Sequence, residues 1–138
     1  MKAGKVWGTT ELIEANGAME FHRIEMKKNG VCSKHLHKYK WNGFYVESGT
    51  LMVKTWADEP RSEQPHLCDQ TILRAGDYYK VAPGKWHQFV GVDDGVAFEL
   101  YWAEFNADDI IRRTQGQRLD HAQTERHIGN PLTDLNAD

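Results

Sequence analysis

The apolar residues of this chain fall into short segments, and this pattern constrains the fold more than any other feature. Up to residue 105 the segments either alternate apolar with polar residues or are rich in β-branched and aromatic residues, as β-strands are. Glycine, proline, asparagine and aspartate separate the segments. The predicted strands are residues 6–13, 18–27, 31–37, 41–47, 50–56, 66–73, 77–81, 86–90 and 96–105. Many short strands with turns between them predict an all-β sandwich or barrel.

The segment after residue 105 is more polar and predicts helix rather than strand. Asn106 is a suitable N-cap, acidic residues follow it in the first turn, and Gly116 stands where the helix would end. A helical turn or two is also predicted around residues 120–127. With 138 residues the chain has room for one domain, which we assign to residues 1–118, followed by a polar C-terminal tail at 119–138. The predicted fold class is all-β with a short C-terminal helix and a polar tail.

Charge and hydropathy argue against two classes of partner. The net charge is −3, from 17 basic and 20 acidic residues, and the basic residues are scattered, so we expect no nucleic-acid partner. The longest apolar run, residues 100–103, is far too short to span a membrane, and the charged start lacks the apolar core of a signal peptide. Cys32 and Cys68 are too few for a disulfide framework and suit a reducing compartment. We therefore expect a soluble, cytoplasmic protein.

Three of the seven histidines have a spacing that suits metal ligands. His35 and His37 are two residues apart, so on a strand their side chains project from one face. Downstream, turns at residues 76–77 and 83–84 flank a short strand and bring His87 to the start of another strand. Three neutral imidazoles that converge inside a barrel bind a divalent transition metal such as zinc, iron, manganese, nickel or copper.

Two blocks of the sequence, residues 30–49 and 76–87, resemble the paired motifs of the cupin superfamily. The resemblance implies the cupin double-stranded β-helix, a jelly-roll barrel, with two histidines and a glutamate from the first motif and one histidine from the second as metal ligands. The histidines match His35, His37 and His87, and the glutamate position is occupied by Asn42. An amide oxygen is a weaker, neutral ligand. Either three histidines hold the metal with Asn42 marginal, or metal affinity is reduced.

A narrower resemblance is to the cupin domain of type II mannose-6-phosphate isomerases. The matching parts are Val6-Trp7-Gly8, the two blocks, Phe98-Glu99-Leu100 and residues 108–112. The chain departs from that domain at Asn42, and at residues 115–118, Gln-Gly-Gln-Arg, where the domain has Tyr-Gly-Arg. The resemblance implies a metal-binding protein that acts on or binds a sugar or sugar phosphate.

Alternation along residues 96–105 separates a mixed face from an apolar face. Glu99 and Tyr101 share the mixed face with small residues, and we assign this face to the cavity. Glu99 is the candidate proton-transfer base and Tyr101 a hydroxyl that orients substrate, whereas the alternative is that Glu99 forms an ion pair on the barrel wall. Trp86, next to a predicted ligand, is a candidate for stacking on a sugar ring. We expect His22 to be a hydrogen-bonded wall residue and not a ligand.

Three functions remain open from the sequence. The first is a sugar or sugar-phosphate isomerase whose cofactor is a divalent transition metal (zinc, manganese, iron or nickel). The second is a three-histidine iron dioxygenase, which the missing glutamate favours. The third is a non-catalytic sugar-binding or sensor cupin, which a weakened metal site favours. The expected partner is a small polar metabolite, most simply a sugar. The apolar face of Phe98, Leu100 and Trp102 predicts a homodimer.

Overall fold

The computed structural model describes residues 2–60, 68–103 and 108–128. These residues form nine strands and one helix, which confirms the all-β class with a short helix near the C-terminus. The elements are β1 (Lys2–Lys5), β2 (Gly8–Ala15), β3 (Met19–Met26), β4 (Trp41–Ser48), β5 (Leu51–Trp56), β6 (Asp69–Leu73), β7 (Tyr78–Val81), β8 (Trp86–Gly91), β9 (Gly95–Trp102) and α1 (His121–Ile128).

The strands form two antiparallel sheets that share one core. The larger sheet has the strand order β1-β2-β3-β9-β4-β7, and the smaller one has the order β6-β5-β8. Phe44 of β4 contacts Phe89 of β8 edge to face, with ring centroids 6.0 Å apart, and one cluster of buried apolar residues contains side chains from both sheets. This arrangement fits the jelly-roll barrel that the resemblance to cupins implies.

The inward face of the larger sheet changes from apolar to polar along its strands. Ile24 of β3 and Ala97 of β9 stand opposite each other and are fully buried. Glu99 follows two residues further along β9, and then Tyr101, which pairs with Asn42 of β4. Steps of two residues keep these side chains on the same face of the sheet. The apolar end therefore supplies the core, and the polar end supplies groups for chemistry.

The strand predicted at residues 31–37 is wrong. The segment pairs with β8 through two isolated bridges only, at Val31 and at His35. Between them the backbone N–H of Cys32 donates to the carbonyl of Phe89, but the N–H of Phe89 donates in return to the Cys32 sulfur, 3.1 Å away. A thiol in the place of a backbone carbonyl interrupts the ladder, so the segment is not a regular strand.

The helix predicted after Asn106 is wrong over the residues that the structure describes. Residues 108–120 are irregular, and residues 104–107 lie outside the described part of the chain. Ile110 and Ile111 are 55% and 98% exposed, so this segment does not bury its large apolar side chains. Short helices depend on such burial for most of their stability.

The helical turn predicted around residues 120–127 is confirmed as α1. The Asp120 carboxylate accepts from the N–H of Gln123 at 2.8 Å, and the Gln123 side-chain oxygen accepts from the N–H of Asp120 at 3.0 Å. This reciprocal pair is a capping box, which sets the start of the helix. The chain divides into two compact units, Met1–Phe105 and Asn106–Asp138, and α1 belongs to the second.

The remaining boundaries shift by a few residues. The sequence does not predict β1, whose residues are all exposed and include no large apolar side chain. The strand predicted at 96–105 ends at Trp102, and part of the strand predicted at 66–73 lies outside the described residues. No helix among the described residues is long and apolar enough to span a membrane. The outward side chains of β9 are half-buried, and the homodimer predicted from them stays a prediction.

Candidate metal centre

Three imidazole rings meet at the polar end of the barrel. His35 and His87 face each other across their isolated bridge, with backbone hydrogen bonds of 3.0 and 2.8 Å and ring centroids 4.5 Å apart. The ring centroid of His37 lies 5.0 Å from that of His35 and 5.3 Å from that of His87. One ring nitrogen from each histidine lies within 4.8 Å of the other two. The three histidines therefore form one cluster, which supports a divalent metal site.

A tight turn ties two parts of this cluster together. Gly84 has a φ of 79°, a left-handed conformation that glycine adopts without strain. Its N–H donates to the carbonyl of His37 at 2.7 Å, so the turn that leads into β8 is anchored to the loop that carries the first two histidines.

Backbone carbonyls set the protonation of two of the rings. The Nδ1 atom of His87 lies 2.9 Å from the carbonyl oxygen of Lys85, and the Nδ1 atom of His35 lies 2.9 Å from that of Ser33. A carbonyl oxygen can only accept, so each Nδ1 carries the proton and donates it. Each Nε2 then keeps its lone pair, which is the form in which histidine binds a metal.

Asn42 brings an oxygen atom to the same place, and its side chain is fully buried. Its Nδ2 donates to the carbonyl of Leu100 and to Oε2 of Glu99, both at 3.3 Å, which leaves its Oδ1 3.0 Å from Nε2 of His87. Burial lowers the pKa of His87, so the ring is neutral and both facing atoms carry lone pairs. Two acceptors at this distance repel each other unless a cation binds both. The contact therefore fits a metal ion with Asn42 among its ligands.

His37 provides a second, independent sign of a cation site. Its Nε2 is buried and has no hydrogen-bond partner among the described residues. Such an atom costs about 1–3 kcal/mol, and a bound metal would remove that cost. Burial, followed by the proximity of His35 and His87, lowers the pKa of His37 to about 4. The ring is therefore neutral at neutral pH, as a metal ligand must be.

Comparison with known protein families agrees with this geometry. The family model described as "Cupin domain" matches residues 22–104, more than half of the chain. The chain belongs to the cupin family. Among curated protein sequences, none matches it.

Solved structures share this cupin fold at low sequence identity. KdgF from Halomonas sp. superposes with a TM-score of 0.58 at 14% identity, over 73% of this chain and 84% of its own. An RmlC-like cupin from Shewanella frigidimarina gives a TM-score of 0.57 at 18% identity, over 78% and 84%. An oxalate decarboxylase variant from Bacillus subtilis gives 0.61 at 12% identity, over 75% of this chain and 27% of its own. At these identities the likeness shows the fold alone.

The polar end of this cupin opens into a cavity of about 380 Å³. Its walls include His35 and the two candidate residues of β9, Glu99 and Tyr101. Both side chains therefore face the cavity, as the alternation along the strand predicts. Ligand pockets usually measure about 300–1,000 Å³, so this cavity suits a small metabolite.

Glu99 is held by hydrogen bonds, not by a cation. Its carboxyl accepts from the amide of Asn42 and interacts with the hydroxyl of Tyr101. Among the described residues no lysine or arginine lies within salt-bridge distance of it, which goes against the alternative of an ion pair on the wall. Burial raises the pKa of Glu99, against the opposing effect of these hydrogen bonds. Burial also raises the pKa of Tyr101, so its hydroxyl remains protonated.

Two other residues singled out in the sequence have contrasting positions. Trp86 stands opposite Trp56 and does not line the cavity, because alternation on β8 points it away from the side on which His87 lies. Its role in substrate binding stays a prediction. His22 does line the cavity, and its Nε2 lies 3.1 Å from Oε1 of Glu20, as expected of a wall histidine.

The sequence does not indicate the groups that orient the histidines. The carbonyls of Ser33 and Lys85 perform this task, and any residue type offers the same carbonyl. Each lies two positions before its histidine, and that spacing is the one signal that a search of the sequence can use.

Proposed function

We propose that this cupin is a metal-dependent isomerase of a small sugar or sugar phosphate. The observation that carries the proposal is the direct link between the histidine cluster and a buried carboxyl. Asn42 contacts His87 through its oxygen and Glu99 through its nitrogen. A divalent metal bound by the three histidines and Asn42 would polarise neighbouring carbonyl and hydroxyl oxygens of a sugar. A carboxyl beside that place supplies the acid–base group that the transfer of a proton between adjacent carbons requires.

Glu99 is the group that moves the proton. In the aldose-to-ketose direction its carboxylate takes the proton from the carbon next to the carbonyl and returns it to the former carbonyl carbon, while a second proton passes between the two oxygens. The contacts with Asn42 and Tyr101 hold the carboxyl in one orientation. Tyr101 also lines the cavity, where its hydroxyl oxygen can accept a hydrogen bond from the sugar.

Metal analysis and an isomerase assay test the proposal together. We expect purified protein to carry stoichiometric zinc, manganese, iron or nickel by elemental analysis, and His35→Ala to lose it. His121→Ala is the matched control, because that histidine is exposed on α1. Interconversion of mannose 6-phosphate and fructose 6-phosphate should fall by about 100-fold or more in Glu99→Gln, with metal content unchanged. Wild-type protein that binds no metal, or that turns over neither these sugars nor their unphosphorylated forms, contradicts the proposal.

A second candidate is a three-histidine iron dioxygenase. The neutral amide of Asn42 supports it, because the cluster then contributes three imidazoles and no negative charge. Bound iron together with oxygen uptake on added substrates would favour this function over isomerisation. Metal and sugar binding without turnover would favour the non-catalytic sensor.

A further inference from the structure

Lys40 lines two neighbouring cavities of this cupin. The cavity beside the histidines and a second cavity of about 170 Å³ share three residues, Glu20, Lys40 and Tyr101. The ammonium nitrogen of Lys40 lies over the ring of Tyr101, 4.3 Å from its centroid. The second cavity is also lined by Tyr39 and Trp102. An ammonium group therefore stands at the boundary between the cavity that His35 and Glu99 line and the smaller cavity.

No carboxylate in the described part of the chain lies within salt-bridge distance of this ammonium group. Glu20, the acid that lines both cavities, contacts Nε2 of His22 at 3.1 Å. Glu99 is engaged with Asn42. The side chain of Lys40 is half-buried, so its charge is partly removed from water. No carboxylate among the described residues forms an ion pair with it, although its charge acts on Glu99 over a longer distance. Such a cation favours the binding of an anion, because attraction between charges strengthens as solvent is excluded.

The charge of Lys40 also acts on the histidine cluster. Burial is the main cause of the low pKa of His35 and of His37, and the nearby positive charge of Lys40 lowers both further. Lys40 and His35 also line the same cavity, so the cation and a candidate metal ligand face the same small volume. A sugar-sized ligand that contacts the histidines lies within the electrostatic reach of Lys40.

We infer that Lys40 binds an anionic group of the substrate, a carboxylate or a phosphate, at the boundary between the two cavities. The inference rests on the proposed function, in which oxygens of the same substrate lie at the histidine cluster. The substrate class is a small anionic sugar derivative, and the uncharged sugar of similar size binds more weakly. Lys40 is thus a specificity-determining residue. The anion source is distinguished by comparing a phosphate ester with a carboxylate on the same sugar.

Binding measurements on a matched set of probes test this inference. We would titrate glucose 6-phosphate, glucuronate and glucose, which differ at one carbon, into the protein with and without zinc, using calorimetry. At least one of the two anions should bind wild-type protein more tightly than glucose does. Lys40→Met, which keeps most of the stem, should weaken anion binding by about tenfold or more, as expected for loss of a charge-assisted hydrogen bond. Lys40→Arg should restore most of the affinity.

Lys38→Met is the matched control. Lys38 is two residues away, is exposed, contacts a tyrosine ring at 5.8 Å and lines neither cavity, so the same charge change there should leave anion binding unaltered. Lys5→Met tests the exposed lysine that also lines the larger cavity. Equal losses in Lys38→Met and Lys40→Met, a loss that follows Lys5 in place of Lys40, or anions that bind no more tightly than glucose would overturn the inference.

Zinc titration separates this inference from the proposed function. If zinc, manganese, iron and nickel all fail to bind but anion affinity depends on Lys40, the metal-dependent isomerase is refuted and the anion site stands. If zinc binds through the histidines but anions show no dependence on Lys40, the anion site is refuted and the metal site stands. Thermal denaturation of each variant shows whether a loss reflects misfolding, and the rescue by Lys40→Arg provides a second check.

Discussion

Replacing Asn42 with aspartate changes one buried atom from a hydrogen-bond donor to an acceptor. The Nδ2 atom of Asn42 lies 3.3 Å from the carbonyl oxygen of Leu100 and 3.3 Å from Oε2 of Glu99. In Asn42→Asp an oxygen takes its place, so two hydrogen bonds become contacts between acceptors. The side chain is fully buried, so water cannot replace the lost partners.

The expected cost is large for so small a change. Each lost hydrogen bond contributes about 1 kcal/mol, and each buried group left unsatisfied costs about 1–3 kcal/mol, so the free energy of unfolding should fall by roughly 3–5 kcal/mol. For a domain of this size that corresponds to a decrease in Tm of roughly 10–15 °C. The carboxyl introduced by the substitution should have a raised pKa, because it is buried beside Glu99. The loss in free energy of unfolding is therefore fully present at high pH, and it decreases as the pH falls and the carboxyl becomes neutral.

Thermal and urea denaturation of metal-free protein at pH 8 and pH 5 measures this effect. Asn16→Asp is the matched control: Asn16 is exposed, and its side-chain oxygen accepts from the backbone N–H groups of Ala18 and Met19. Aspartate preserves that acceptor, so the control should remain near wild-type stability. If Asn42→Asp is no less stable than Asn16→Asp at pH 8, the assigned orientation of the buried amide is wrong, and with it the argument that its oxygen faces His87 as a metal ligand.

Three further predictions follow from other parts of the structure. Gly30→Ala would place a Cβ 2.7 Å from the backbone carbonyl oxygen of Trp7, so it should lower the free energy of unfolding by about 1–3 kcal/mol. Gly4→Ala, where a Cβ meets nothing within 4 Å, should not lower it, and equal urea midpoints for the two variants would refute this prediction. Because the pKa of His37 is lowered to about 4, the free energy of unfolding of metal-free protein should fall as the pH decreases from about 6.5 to 4. His37→Gln should reduce this pH dependence, and an unchanged pH dependence would count against the burial of the ring. Burial raises the pKa of Cys32 to about 12, so at pH 8 this thiol should react with a disulfide reagent only after unfolding; reaction at the rate of a small thiol would contradict its burial.

The sequence predicted the strands well where alternation and turns reinforce each other. The segment of β9 shows this clearly, because residues 97, 99 and 101 share one face in both the pattern and the structure. The strand predicted at residues 31–37 is wrong. The sequence pattern does not reveal that the Cys32 sulfur accepts the hydrogen bond from the N–H of Phe89, which the backbone carbonyl of Cys32 would accept in a regular ladder. The helix after Asn106 has suitable end signals, but these do not provide the burial on which a short helix depends.

The sequence predicts which side chains form the candidate site, but it does not predict the contacts that orient them. The spacing of His35, His37 and His87 is visible in the sequence, as is the amide at Asn42. The direction of that amide depends on the carbonyl of Leu100, which comes from another strand and is the same for every residue type. The position of Lys40 between two cavities likewise depends on how the loop packs on Tyr101.

The central claim is that the Nε2 atoms of three histidines and the oxygen of Asn42 converge on one metal ion. Anomalous diffraction from crystals grown with zinc tests it most directly. We expect one strong peak about 2.0–2.2 Å from the Nε2 atoms of His35, His37 and His87, with Oδ1 of Asn42 turned toward it. A peak bound through Nδ1, a peak elsewhere on the chain, or fully ordered histidines with no peak between them at saturating zinc would contradict the claim.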